Sequence, residues 1–109
     1  MEKYVSKTWG YEEWFENNDL YCGKRLTVFK GQWSSKGKFH YHKIKDETFF
    51  VIKGTLIIEL DIGAPIILNE GDSYRIKPNK YHRFTSETDE CKFIEVSTTH
   101  SDVDSYRVN

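Results

Sequence analysis

The sequence predicts an all-β fold, a sandwich or barrel of short strands around a single core. Segments rich in Val, Ile, Phe, Tyr and Thr recur along the 109 residues, separated by Gly, Asn, Asp and Pro. Several alternate apolar and polar residues with period two, as a strand with one inward face requires. No stretch carries a convincing helical spacing, and at this length a second domain would have too little core of its own.

Nine strands follow in order. Residues 11–16 (YEEWFE) precede the turn Asn17-Asn18-Asp19, and residues 24–31 (KRLTVFKG) and 38–42 (KFHYH) come next. The longest run, 47–60, is split at Lys53-Gly54 into two strands of a hairpin. Residues 64–68 (APIIL), 73–76 (SYRI), 82–86 (HRFTS) and 91–98 (CKFIEVST) complete the set, with Pro65 and Pro78 at strand edges where a missing N–H is tolerated. The absence of an internal repeat argues against a propeller or solenoid. One domain over 1–109 is expected, with its core at about 8–98 and the polar tail 99–109 as a partly ordered cap over one mouth of the barrel.

Composition narrows the functional classes. Sixteen basic and seventeen acidic residues give a formal charge of −1, which supplies no overall bias toward nucleic acid or an anionic membrane. Seven Tyr, seven Phe and three Trp provide rigid apolar area for a compact core. The opening MEKYVSKTWG lacks the apolar region of a secretory signal, and no run is long enough for a membrane helix, so a cytoplasmic protein is expected. Cys22 and Cys91 lack CxxC spacing and are read as reduced thiols.

The chemistry concentrates in the histidines. On a strand, residues two apart share a face at a spacing of about 6.6–6.8 Å, so His40 and His42 project side by side toward one ion while Tyr41 points away. The next strand places Glu47, Phe49 and Val51 on one face, and a carboxylate there adds a hard oxygen to two neutral imidazoles, a set suited to a divalent first-row metal. His82 opens a later strand after Pro78 and can reach the same cavity. Asp46 competes with Glu47 for the carboxylate role but points away if the strand begins at Glu47, and His100 in the polar tail reads as a surface histidine.

These residues carry a resemblance. H-x-H-x4-E-x6-G, from His40 through Glu47 to Gly54, resembles the first motif of the cupin superfamily, and Gly71, Pro78 and His82 resemble the second. The resemblance implies a small antiparallel jelly-roll barrel, a homodimer, and one divalent metal held by His40, His42, Glu47 and His82. Lys80 and Ser86 stand where the second motif commonly has Gly and Asn. KTWGYEEWF, KRLTVFKG, IEVST and DSYR are also similar to the cupin part of type II mannose-6-phosphate isomerases and their small stand-alone relatives, which usually carry K-P-W-G where this chain has Lys7-Thr8-Trp9-Gly10.

Four protein ligands on a six-coordinate metal leave two positions for a hydroxy-carbonyl pair, which the ion polarises while a side chain moves a proton. Glu95, in phase with Cys91 and Phe93, and Lys24, in phase with Leu26 and Val28, are the candidate acid/base groups, with desolvation expected to raise the Glu95 pKa. Lys38, in phase with His40 and His42, and Arg107 in the tail are candidates for binding an anionic substrate. Trp9, Tyr11, Trp14 and Phe84 are candidates for a sugar-stacking wall or for core and dimer contacts. The expected activity is a sugar or sugar-phosphate isomerase or epimerase, the alternatives an Fe(II) dioxygenase or a sugar-binding protein without catalysis. The metal is one of Zn, Mn, Fe, Ni or Co, which the sequence does not distinguish.

Overall fold

A computed structural model gives the fold and describes residues 3–108; positions 1, 2 and 109 of the expected domain lie outside the described residues. Eleven strands run in the order β1 (Lys3–Lys7), β2 (Gly10–Asn17), β3 (Cys22–Phe29), β4 (Phe39–Tyr41), β5 (Glu47–Lys53), β6 (Leu56–Leu60), β7 (Ile66–Leu68), β8 (Ser73–Ile76), β9 (His82–Ser86), β10 (Glu90–Ser97) and β11 (Tyr106–Val108). They form a six-stranded sheet, β1-β2-β3-β10-β5-β8, and a five-stranded sheet, β11-β4-β9-β6-β7, with antiparallel neighbours throughout. The architecture is an antiparallel jelly roll. Two short 3-10 turns, Ser34–Gly37 and Asp102–Asp104, are the only helical segments among the described residues.

All nine expected segments form strands, with ends shifted by up to two residues; β1 and β11 are additional. Neither announces itself by alternation. Only Val5 of β1 is even half-buried, and β11 lies in the polar tail with two half-buried residues flanking an exposed Arg107. Both are edge strands, and pairing with β2 and β4 supplies the ladder that their composition does not advertise.

Alternation builds the core. Leu26 and Val28 of β3, Phe49 and Val51 of β5, and Cys91 and Phe93 of β10 point inward and meet Leu56, Ile58 and Phe84 of the opposite sheet. Phe84 bridges the sheets, its ring 5.8 Å from Phe49, 5.3 Å from Phe93 and 5.2 Å from Trp9, mostly edge to face. The β5–β6 hairpin turns at Gly54, where φ is +78° and a Cβ would lie 2.5 Å from the Glu90 carbonyl oxygen, so no other residue fits there without displacing backbone.

Both cysteines are free and buried. Cys22 pairs with Ser97 and Cys91 with Val28, which places them toward opposite ends of the β3–β10 ladder, beyond disulfide reach. No helix among the described residues is long and apolar enough to cross a membrane.

Candidate metal centre

The three histidines come from neighbouring strands of one sheet and the glutamate from the other. His40 lies on β4 opposite His82 on β9, and His42 follows one residue beyond the end of β4. Glu47, the first residue of β5, reaches them across the barrel interior. One ring nitrogen from each of His40, His42 and His82 lies within 4.8 Å of the others. Glu47 Oε2 approaches His42 Nε2 at 3.4 Å and His82 Nε2 at 3.6 Å.

The backbone decides which nitrogens face inward. His42 Nδ1 donates to the Asp104 carbonyl at 2.7 Å and His82 Nδ1 donates to the Lys80 carbonyl at 2.8 Å. Each Nε2 is therefore the bare nitrogen, as a metal-ligating imidazole requires. Ser35 Oγ lies 3.4 Å from His40 Nδ1. The loop before His82 turns through Asn79, which takes the positive φ of 68° in place of a glycine at Lys80 and donates its N–H to the His42 carbonyl.

This arrangement fits a cation. Glu47 Oε2 and His82 Nε2 are both buried without a hydrogen-bond partner, and with Glu47 ionised they present lone pairs to one another, an unfavourable contact that a cation between them, or a proton on Glu47, relieves. Bonds of about 2.0–2.1 Å put neighbouring ligands of one ion about 2.9–3.4 Å apart, so the 3.4 and 3.6 Å approaches of Glu47 are close to that spacing and the histidine nitrogens, within 4.8 Å of one another, draw together to share the ion. Burial holds the imidazoles of His40, His42 and His82 in the neutral, ligating form, His82 with its pKa lowered to about 4.

Beside the histidines lies a buried ionic layer. Lys45 Nζ approaches Glu95 Oε2 at 2.7 Å, off the line of a hydrogen bond, and Glu47 Oε1 at 3.8 Å; Lys24 Nζ lies 3.8 Å from Glu95 Oε2. Burial pushes the Glu95 carboxyl up, but the two ammonium groups outweigh it and hold the pKa down at about 2. That reverses the expectation that desolvation raises the Glu95 pKa, because the inward-facing lysines enter with it. Burial and the neighbouring Glu95 push the Glu47 carboxyl up.

A second chain of contacts leads outward. Lys24 Nζ sits 4.0 Å from the Trp14 ring centroid and donates to His100 Nδ1 at 3.1 Å, while His100 Nε2 donates to Asp102 at 2.8 Å. The Trp14 indole N–H donates to Glu12 at 2.9 Å. These groups line a cavity of about 850 Å³ whose mouth carries Lys3, Lys7, Lys36, Lys38 and Arg107.

Of the sequence candidates, His40, His42, Glu47, Glu95, Lys24, Lys38 and Arg107 all line this cavity, and His82 adjoins it through Glu47 and His40. Asp46 lies outside, paired with Arg75. Trp9, Trp14 and Phe84 line the cavity, whereas Tyr11 stacks on Tyr4 and accepts from Lys92 elsewhere. Lys45 and Asp104 were not singled out by the sequence, and His100, expected at the surface, lines the cavity instead, against Lys24 and the Trp14 ring. Lys45 lies before the first residue of β5, so strand parity does not settle where it points; His100 and Asp104 find their partners 76 and about 60 residues away and leave no local trace.

Fold and geometry together define a small antiparallel barrel with an interior histidine cluster able to hold a metal ion. The chain belongs to the cupin family: its residues 25–97 match the family described as Cupin domain. No curated protein matches it. Among solved structures, KdgF from Halomonas sp. superimposes with a TM-score of 0.78 at 16% identity, over 94% of this chain and 90% of that one. A cupin-2 domain containing protein from Shewanella frigidimarina gives 0.66 at 26% identity, over 78% and 76%. Oxalate decarboxylase from Bacillus subtilis gives 0.80 at 15% identity, over 97% of this chain but 30% of that one.

Proposed function

We propose that the protein is a metal-dependent isomerase or epimerase that moves a proton between carbons of a small anionic hydroxy-carbonyl compound, a sugar phosphate above all. The observation that carries this reading is Glu95, a fully buried carboxylate kept ionised by Lys45 and Lys24 and set beside Glu47 in the cavity. Held ionised beside the metal centre, it is placed to take a proton from a carbon acidified by an adjacent carbonyl; the two ammonium groups that keep it ionised also weaken it as a base, so polarisation of the carbonyl carries most of the acidification.

In this reading His40, His42, His82 and Glu47 hold one divalent ion, which when bound supplies Lewis-acid polarisation of the carbonyl oxygen and its neighbouring hydroxyl. Glu95 takes the proton and returns it at the next carbon. Lys24 keeps Glu95 charged and, through His100 and Asp102, links it to the cavity mouth. Lys38 and Arg107, on the basic rim with Lys3, Lys7 and Lys36, receive the phosphate. Similarity to the cupin part of type II mannose-6-phosphate isomerases supports the same substrate class. Assembly as a homodimer belongs to this reading, since Phe50, Ile52 and Val96 expose apolar area on the outer face of the larger sheet.

The test is incubation of metal-loaded protein with a panel of aldose and ketose phosphates in D2O under argon. Isomerisation or epimerisation, with deuterium entering the carbon next to the carbonyl, is the expected result, and Glu95→Gln should slow it by about 10²–10⁴-fold. Turnover only with Fe(II) and oxygen would establish a dioxygenase instead; ligand-induced stabilisation without any product would establish a binding protein.

A further inference from the structure

We propose that Asp104, in the turn just before β11, is a positioning residue of the metal centre that aims His42 and fixes the loop joining it to Glu47. Only four residues, Lys43 to Asp46, separate the two groups. The Asp104 carboxylate accepts from three consecutive backbone N–H groups of that loop: Lys43 at 2.9 Å, Ile44 at 3.2 Å and Lys45 at 3.0 Å. The backbone carbonyl of the same residue accepts from His42 Nδ1 at 2.7 Å. One residue thus sets both the path of the loop and the tautomer of a ligand at its start.

The rest of the loop leaves little slack. At its far end the Asp46 N–H donates to Thr98 Oγ1 at 3.1 Å and the Thr98 N–H donates to the Asp46 carbonyl at 3.0 Å, which anchors the entry to Glu47 on the chain just after β10. Between these anchors Lys45 turns its ammonium inward to Glu95. Asp104 is itself buried, so its three charge-assisted bonds are shielded from water. Removing the carboxylate leaves three donors without their acceptor, and the loop recovers hydrogen bonds only by moving, taking His42 and Lys45 with it. β11, which pairs Arg107 with His40, extends the same restraint to a second histidine.

This inference rests on the metal reading but not on the proposed reaction. The test uses full-length Asp104→Ala and Asp104→Asn, with Val103→Ala, an exposed neighbour, as the control. Co(II) affinity is measured by competition with a chelator, the visible spectrum of the bound cobalt is recorded, and imidazole ¹⁵N–¹H spectra of the metal-free chains report the His42 tautomer. Wild type should show His42 protonated at Nδ1. Asp104→Ala should bind Co(II) about 10–100-fold more weakly with an altered spectrum and a mixed His42 tautomer, Asp104→Asn should lie between, and Val103→Ala should match wild type. An Asp104→Ala chain within about threefold of wild-type affinity and with an unchanged cobalt spectrum would overturn the proposal, because a merely structural aspartate would change neither. If both Asp104 variants fail to fold, the wild-type spectra decide, and a proton on His42 Nε2 in the metal-free protein overturns it. Wild type that takes up no Co(II) removes the metal assignment and this inference together; wild type that binds cobalt but isomerises nothing removes only the reaction.

Discussion

Lys24, Glu47 and Glu95 occupy the same three strands as Leu26, Phe49 and Phe93, one inward step away along each, and the two sets are equally buried: 2%, 3% and 4% exposed against 2%, 1% and 0%. Identical backbone and identical exclusion of water therefore enclose an apolar half and an ionic half. The apolar half gains from burial, by about 25 cal/mol per Å² of apolar area. The ionic half does not, because taking charges out of water costs about as much as their attraction returns. An apolar set of the same size would fill that half at least as well for stability. What the ionic half contributes is chemistry, and the contrast can be probed from either side.

The largest stability effect belongs to the apolar half. Phe93 is fully buried, with its ring 4.8 Å from Phe49 and 5.3 Å from Phe84. Phe93→Ala should cost about 3–5 kcal/mol, read as a lower urea midpoint with an unchanged slope. A loss below about 1 kcal/mol would mean that the interior is loosely packed and that the two halves do not differ as described.

This division was partly legible in the sequence. Period-two alternation put Leu26, Phe49 and Phe93 inside, and the same parity put Lys24, Glu47 and Glu95 beside them, so both halves of the interior follow from counting along strands. Parity does not report partners. That two lysines enter with Glu95 and reverse the effect of its burial depends on a loop conformation, because Lys45 lies before the first residue of β5. Asp104 and His100 escaped for a related reason: a polar tail has no apolar pattern, and its order comes from hydrogen bonds to distant backbone and side chains. The two edge strands β1 and β11 were missed likewise, since an edge can pair without burying a face.

Next in size is a pH dependence of the metal-free protein. Burial lowers the His82 pKa to about 4, with the Lys80 carbonyl and Glu95 opposing and His42 and Lys45 assisting. In the unfolded chain the same imidazole titrates near 6.5. Between these values the unfolded state binds the extra proton, so stability is complete above about pH 6.5 and falls as the pH drops toward 4, by roughly 3 kcal/mol from this group alone. His40 and His42, also lowered, act in the same direction. Urea titrations in chelator at pH 7, 6, 5 and 4 measure the slope, and His82→Gln should flatten it. Glu47, whose carboxyl is pushed up by burial and by Glu95, opposes this slope, so the deciding quantity is the difference between wild type and His82→Gln; no difference would show that His82 is not held neutral by burial.

The smallest stability effect has the opposite sign, and for that reason tests the contrast most directly. Without a cation, and above the pKa of about 8 to which burial and Glu95 push the Glu47 carboxyl, Glu47 Oε2 faces two bare imidazole nitrogens at 3.4 and 3.6 Å and has no hydrogen bond of its own. Glu47→Gln keeps the volume and offers an N–H donor to those nitrogens. It gives up a contact with Lys45 at 3.8 Å, but Lys45 retains Glu95 at 2.7 Å. At pH 9, where Glu47 is ionised, the metal-free variant should therefore be more stable than wild type by about 1 kcal/mol, seen as a Tm a few degrees higher in calorimetry with chelator present. Added Co(II) or Zn(II) should raise the wild-type Tm and raise that of Glu47→Gln much less, since a neutral amide replaces the carboxylate that approaches His42 and His82. A variant less stable than wild type in chelator would mean that Glu47 serves the fold through Lys45, and the ionic half would then be a structural network in its own right.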